Sequence, residues 1–143
     1  MLIEKLKLED IQGLLELYKA LTPFENSLEK SIKVYKDMLQ DEQYLIIVAK
    51  EDNEVIGSAF GVCCKSIAVG GNPFLVIEDV IIKDKLRGKG IGKKLMKALD
   101  EFAKEKHCVY AILVSSDYRK EAHVFYEKLG FIEGVRGFRK MYE

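Results

Sequence analysis

Apolar positions along this chain fall into blocks whose spacing switches between extended and helical. Residues 2–7 read as a short strand. A helix starts at Leu8-Glu9-Asp10, with Ile11, Leu14, Leu15 and Tyr18 on one stripe. Asn26 or Ser27 can cap a second helix that turns Ile32, Tyr35, Met38 and Leu39 inward, and Leu21-Thr22-Pro23-Phe24 is the loop between the two. The run YLIIVA at 44–49 and the stretch 55–64 flank the turn signal Asp52-Asn53, which predicts a hairpin. Gly70-Gly71-Asn72-Pro73 is a further turn, and 74–82, FLVIEDVII, is strongly β in composition. After glycines 88–92 break the pattern, Ile91, Leu95, Ala98, Leu99, Phe102 and Ala103 recur at helical spacing to about Lys106. CVYAILV at 108–114 reads as a buried strand. Residues 118–129 read as a helix ended by Gly130, and the tail carries two short strands around 134–137. Strands precede and alternate with helices, so the expected class is α/β or α+β with a mixed sheet, in one domain spanning 1–143.

Composition narrows the options. Hydrophobic residues make up 48 % of the 143, enough for one core. Lys plus Arg equals Asp plus Glu at 23 each, which speaks against a chain that coats nucleic acid or an anionic membrane. No window nears the roughly 18 consecutive apolar residues of a membrane span. The first residues, MLIEKLKLED, contain no secretory apolar core, so a cytoplasmic protein is expected. Three cysteines, 63, 64 and 108, are an odd set with no CxxC, and the only histidines are 107 and 123. These are expected to be small buried thiols; neither a disulfide framework nor a metal site is expected.

The balanced total hides two opposed halves. Residues 1–60 hold seven basic and twelve acidic residues, while 83–97 alone holds seven basic residues and one acid. The basic run surrounds a glycine-rich loop between a strand and a helix, the arrangement that offers backbone N–H groups and a helix N-terminus to an anion. A dinucleotide fingerprint would need glycine where Lys93 stands. A Walker A loop would need glycine at Arg87 and Ser or Thr at Lys94. Arg-x-x-Gly-x-Gly is met by Arg87, Gly90 and Gly92.

On that loop, and on Ala122-His123-Val124-Phe125-Tyr126-Glu127-Lys128-Leu129-Gly130-Phe131 further on, the chain resembles the GNAT superfamily of acetyl-coenzyme A-dependent N-acetyltransferases. The resemblance implies a mostly antiparallel mixed sheet with a splayed parallel strand pair, and acetyl-CoA as co-substrate. Backbone amides of Arg87, Gly88, Lys89, Gly90, Ile91, Gly92 and Lys93 would hold the pyrophosphate. Val80, Ile81 and Ile82 would pair with the pantetheine arm. Tyr126 would touch the cofactor and protonate the departing thiolate.

Glu78 is the best base, since a carboxylate inside an apolar strand needs a task or a partner. Glu78 and Asp79 are expected on opposite faces, one of them in the acceptor cleft. Ile77-Glu78-Asp79 resembles the equivalent strand of glucosamine-6-phosphate and diamine acetyltransferases. Glu78, Asp79 and Phe24, in the loop between the first helices, are the candidate acceptor-binding residues. Roles for Arg119 and His123 stay open. The implied acceptor is a primary amine of a small molecule, such as an amino sugar, a polyamine or an aminoalkylphosphonate. A peptide acetyltransferase, or an acyl-CoA-binding module without catalysis, are the alternatives. Family members often pair C-terminal strands, so a homodimer is compatible with the resemblance.

Overall fold

The hairpin expected around Asp52-Asn53 sits at the centre of the sheet. Strands β2 (Tyr44–Glu51) and β3 (Glu54–Cys64) run antiparallel. Asp52 and Asn53 take φ of 50° and 64°, the two-residue turn whose twist matches paired strands. Strand β1 (Leu2–Lys5) adds antiparallel to β2, and β4 (Phe74–Ile82) adds antiparallel to β3. Strand β5 (Ala111–Leu113) is parallel to β4, giving a mixed sheet in the order β1-β2-β3-β4-β5. The computed structural model describes residues 1–116 and 119–142. Contacts divide the chain into two compact units, Met1–Ile112 and Leu113–Glu143.

In the first unit, helices α1 (Ile11–Tyr18) and α2 (Leu28–Met38) pack on one face of the sheet. Leu6, Ile11, Leu14, Leu17, Tyr35, Ile46, Val48, Val55 and Ile81 form the core there. Full burial of each large aliphatic side chain contributes roughly 1.5–3 kcal/mol. Ser27 caps α2, its hydroxyl accepting from the Lys30 amide at 3.2 Å. A 3₁₀ turn, Leu8–Asp10, leads into α1, and the Asp10 carboxylate accepts from the Lys7 amide at 3.2 Å. Leu39 departs from its expected inward position: it lies just past the last turn of α2 and is 40 % exposed.

Helix α3 (Ile91–Glu105) covers the opposite face and buries Ile91, Leu95, Met96 and Leu99. Two glycines of β3 let it come close. A Cβ on Gly57 would stand 3.0–3.2 Å from Ile82, Ile91 and Leu95, and one on Gly61 would stand 3.0 Å from Leu99. The strand expected over 108–114 is shorter than its composition implies. The Cys108 amide still bonds back to Ala103 of α3, the Val109 amide bonds to the Pro73 carbonyl just before β4, and the Tyr110 carbonyl accepts from the Leu75 amide. Cys63 is buried, and its thiol lies 3.7 Å from that of Cys108. Burial and the neighbouring Cys63 push the Cys108 thiol up to about 11.

The second unit holds helix α4 (Lys120–Lys128). Its expected start at 118 lies outside the described residues. Its end is a full C-terminal cap: Gly130 takes φ 95°, its amide bonds to Glu127, and the Phe131 amide bonds to Tyr126. The two short strands expected in the tail are not formed among the described residues 131–142. Ile132 and Phe138 there are 88 % and 89 % exposed, so the apolar residues that read as strand positions have no sheet face to bury.

Candidate active site

Strand β4 carries the chemistry-bearing residues of the first unit, and its course is broken once. Asp79 adopts φ 52°, the left-handed region, in mid-strand. The ladder to β3 slips there: Glu78 stands opposite Phe60, whereas Ile81 stands opposite Ser58. One extra residue on β4 is a β-bulge, and Asp is among the few side chains that tolerate this conformation. Before the bulge, Leu75 packs beside Leu99 of α3 through Gly61. After it, Ile81 belongs to the opposite core beneath α1 and α2. The expectation that Glu78 and Asp79 alternate therefore fails. Glu78 pairs with Phe60, which packs on the α1/α2 core, and Asp79 lines a cavity on that same side.

That cavity, about 450 Å³, lies between α1, α2 and the sheet. Its lining includes the exposed Phe24, with Tyr18, Tyr35, Ile46, Phe60 and Asp79. Burial raises the Asp79 carboxyl above the ordinary carboxylate value. The Tyr18 phenol is held well above its usual range, first by burial and then by the Asp79 charge, with a hydrogen bond to Ser58 opposing. Ser58 is itself fully buried and donates to the Ile47 carbonyl at 3.0 Å. Sequence reasoning gave Tyr18 only a packing role and passed over Ser58. Nothing in local spacing signals that a bulge 60 residues downstream of Tyr18 will set a carboxylate beside it.

From the end of β4 the chain passes Val80, Ile81 and Ile82, makes a 3₁₀ turn at Asp84–Leu86, and reaches the glycine loop. Gly88 and Gly90 take φ of 79° and 82°, and a Cβ at either would meet nothing within 4 Å. The glycines are thus required by backbone conformation, not by crowding. Gly90 is the N-cap of α3 and, unlike Ser27 on α2, offers no side chain to the first amides of its helix. The first intrahelical bond is from Lys94 to the Gly90 carbonyl at 3.2 Å. Amides of Ile91, Gly92 and Lys93 thus lie ahead of the helical ladder, at the positive end of the macrodipole. Arg87 and Lys89 are exposed beside them, with Arg87 3.5 Å from the Asp84 carboxylate. Donors, dipole and basic side chains all fit a pyrophosphate.

Tyr126 lies in the second unit, on α4. It is 9 % exposed and packs edge-on against Phe125 and Phe131 at 5.2 and 5.9 Å between ring centres. Burial raises its phenol above the usual value, and the Arg119 charge opposes that rise. His123 sits one turn earlier, its Nε2 2.9 Å from the Ser116 carbonyl.

Residues 11–131 match the model of the acetyltransferase (GNAT) family. A glucosamine 6-phosphate N-acetyltransferase of Trypanosoma brucei brucei is 39 % identical over 85 residues, 59 % of this chain and 56 % of that protein. A putative acetyltransferase from Agrobacterium tumefaciens superposes with a TM-score of 0.90 at 26 % identity, covering 99 % of both chains. Glucosamine-6-phosphate N-acetyltransferase from Arabidopsis thaliana superposes equally well, at 25 % identity over 99 % of this chain and 98 % of that one. The chain spans about half the length of the first sequence relatives it matches. With the family model covering most of its length, on a mixed sheet whose fourth strand runs into an uncapped, glycine-led helix, the chain belongs to the acetyltransferase (GNAT) family.

Proposed function

We propose that this protein transfers the acetyl group of acetyl-CoA to a primary amine of a small molecule by direct attack. The observation that carries this reading is the layout of β4. One strand presents a carboxylate to a cavity at Asp79 and, a few residues later, feeds the loop whose amides precede the α3 ladder. Relatives named for glucosamine 6-phosphate and for thialysine acetylation favour a small amine.

In this reading the amides and basic side chains of Arg87, Gly88, Lys89, Gly90, Ile91, Gly92 and Lys93 hold the pyrophosphate of acetyl-CoA. The backbone of Val80, Ile81 and Ile82 aligns the pantetheine arm, and a strand amide there polarises the thioester carbonyl. An amine is mostly ammonium at neutral pH and has no lone pair until a base removes a proton. Asp79, or Glu78 through water, takes that proton. The freed nitrogen attacks the carbonyl carbon, the carbon–sulfur bond breaks, and the Tyr126 hydroxyl protonates the departing thiolate.

Thiol release from acetyl-CoA across a panel of amines, peptides and aminophosphonates tests the proposal. Amine-dependent release with small amines supports it. Tight acetyl-CoA binding with no release for any acceptor would replace it with an acyl-CoA-binding module.

A further inference from the structure

The walls of the Asp79 cavity are more specific than the proposal above requires. Leu6, Ile11, Leu14 and Ile46 line it, and each is also part of the core, 8 % exposed or less. The cavity floor is therefore the exposed side of the hydrophobic core. Its size, about 450 Å³, falls in the usual range for small-molecule sites.

Several polar groups in and beside this wall already have partners within the protein. The Tyr35 hydroxyl donates to the Leu6 carbonyl at 2.6 Å. The fully buried Ser58 hydroxyl is spent on the Ile47 carbonyl at 3.0 Å. At the mouth, Ser27 accepts from the Lys30 amide and Asn26 donates to the Phe24 carbonyl. A ligand rich in hydroxyls would have to give up water for a floor with few partners to offer. The charges of the lining point the same way: two carboxylates, Glu25 and Asp79, face a single cation, Lys30. A phosphate dianion would meet a net negative wall, whereas an ammonium would meet a carboxylate fixed in place by a bulge.

We infer that the acceptor is a primary amine carried on an apolar, ring-sized body, an arylalkylamine, with its ammonium at Asp79 and its ring on the core-facing floor. A phosphorylated amino sugar fits this wall poorly. The inference rests on the acetyl-transfer reading and concerns the same cavity.

Two measurements keep the two ideas separable. In the thiol-release assay, kcat/KM for 2-phenylethylamine should exceed that for glucosamine 6-phosphate by about tenfold or more, since unpaired polar groups discriminate strongly. An equal or reversed ratio overturns the inference while leaving acetyl transfer standing. Calorimetric titration of both amines into the CoA-saturated protein decides the matter independently of turnover. The expected result is binding of 2-phenylethylamine, weakened by about tenfold in Asp79→Asn. Asn tolerates the left-handed backbone, so that variant keeps the bulge. No binding of 2-phenylethylamine, tighter binding of glucosamine 6-phosphate, or an Asp79→Asn protein that binds 2-phenylethylamine as well as wild type each overturns it. If no acceptor gives thiol release, acetyl transfer fails and the titration alone judges the cavity.

Discussion

Asp79 concentrates several constraints in one residue: left-handed backbone, partial desolvation of its carboxyl and a place on the cavity wall. Because burial raises its carboxyl, the acid limb of kcat/KM should lie above the ordinary carboxylate value of 3.8, activity rising with pH as the base ionises. Asp79→Asn should flatten that limb and lower turnover by about 10²–10⁴-fold. The stability effect has the opposite sense. A carboxyl raised by folding works against the fold once pH exceeds its ordinary value, so Asp79→Asn should leave Tm near pH 7 unchanged or slightly higher. A pH–rate profile identical to wild type would remove Asp79 as the base and return the role to Glu78. Tyr126, kept protonated by burial, is expected to supply the proton that the departing thiolate takes. Tyr126→Phe should slow turnover about a hundredfold with acetyl-CoA affinity nearly unchanged. Unaltered turnover in that variant would exclude it as the acid. Of these residues, the sequence showed the carboxylates as ionisable groups in an apolar strand and the tyrosine only through the resemblance of residues 122–131 to the family. It did not show Tyr18 or Ser58, whose significance comes from a contact made across the sheet.

At the scale of elements, α2 and α3 begin in opposite ways. One is closed by Ser27; the other starts at Gly90 with no side chain over its first amides. Gly90→Ala should separate folding from ligand binding. The added methyl has open space around it, so the cost is the left-handed backbone alone, about 1 kcal/mol and a few degrees in Tm. Relief of that strain would turn the amides of the loop, and acetyl-CoA affinity should fall several-fold. A Tm loss with unchanged affinity would mean that the loop does not hold the pyrophosphate. Elements with strong local signals were legible in advance: β4 was read with both of its ends correct, since a β-rich run, interrupted only by Glu78 and Asp79, lies between Pro73 and Lys83. The bulge within it was not, because alternation assumes an uninterrupted ladder. In the tail, apolar residues alone imitated strands that no neighbouring edge completes among the described residues.

Across the first unit as a whole, Lys50 ties β2 to the start of the chain, its ammonium 2.9 Å from Asp10 and 3.2 Å from Glu4, with Lys50 and Asp10 both buried. The hydrogen bond to Asp10, then that to Glu4, raises its pKa above 10.5. Its contribution is therefore complete below pH 10.5 and disappears as pH climbs through the raised value. Lys50→Met should lower Tm at neutral pH by stranding the buried Asp10 carboxylate, and adding Asp10→Asn should recover part of the loss. Thermal melts of the single and double variants across pH 7–11 check this; a Tm unaffected by Lys50→Met would show the triad to be neutral. The bulge has a consequence for how mutations are tolerated along β4. Leu75, Ile77 and Ile81 are all buried and all odd-numbered, so a burial profile looks like one uninterrupted rhythm. Yet Leu75 and Ile81 belong to different cores, and the rhythm changes phase at Asp79. Deleting that single residue would bring the two halves of the strand into phase. The residues beyond it would keep their places, Ile81 still opposite Ser58 and Ile82 still toward α3, so both cores would survive the shortening while the cavity lost the Asp79 carboxylate.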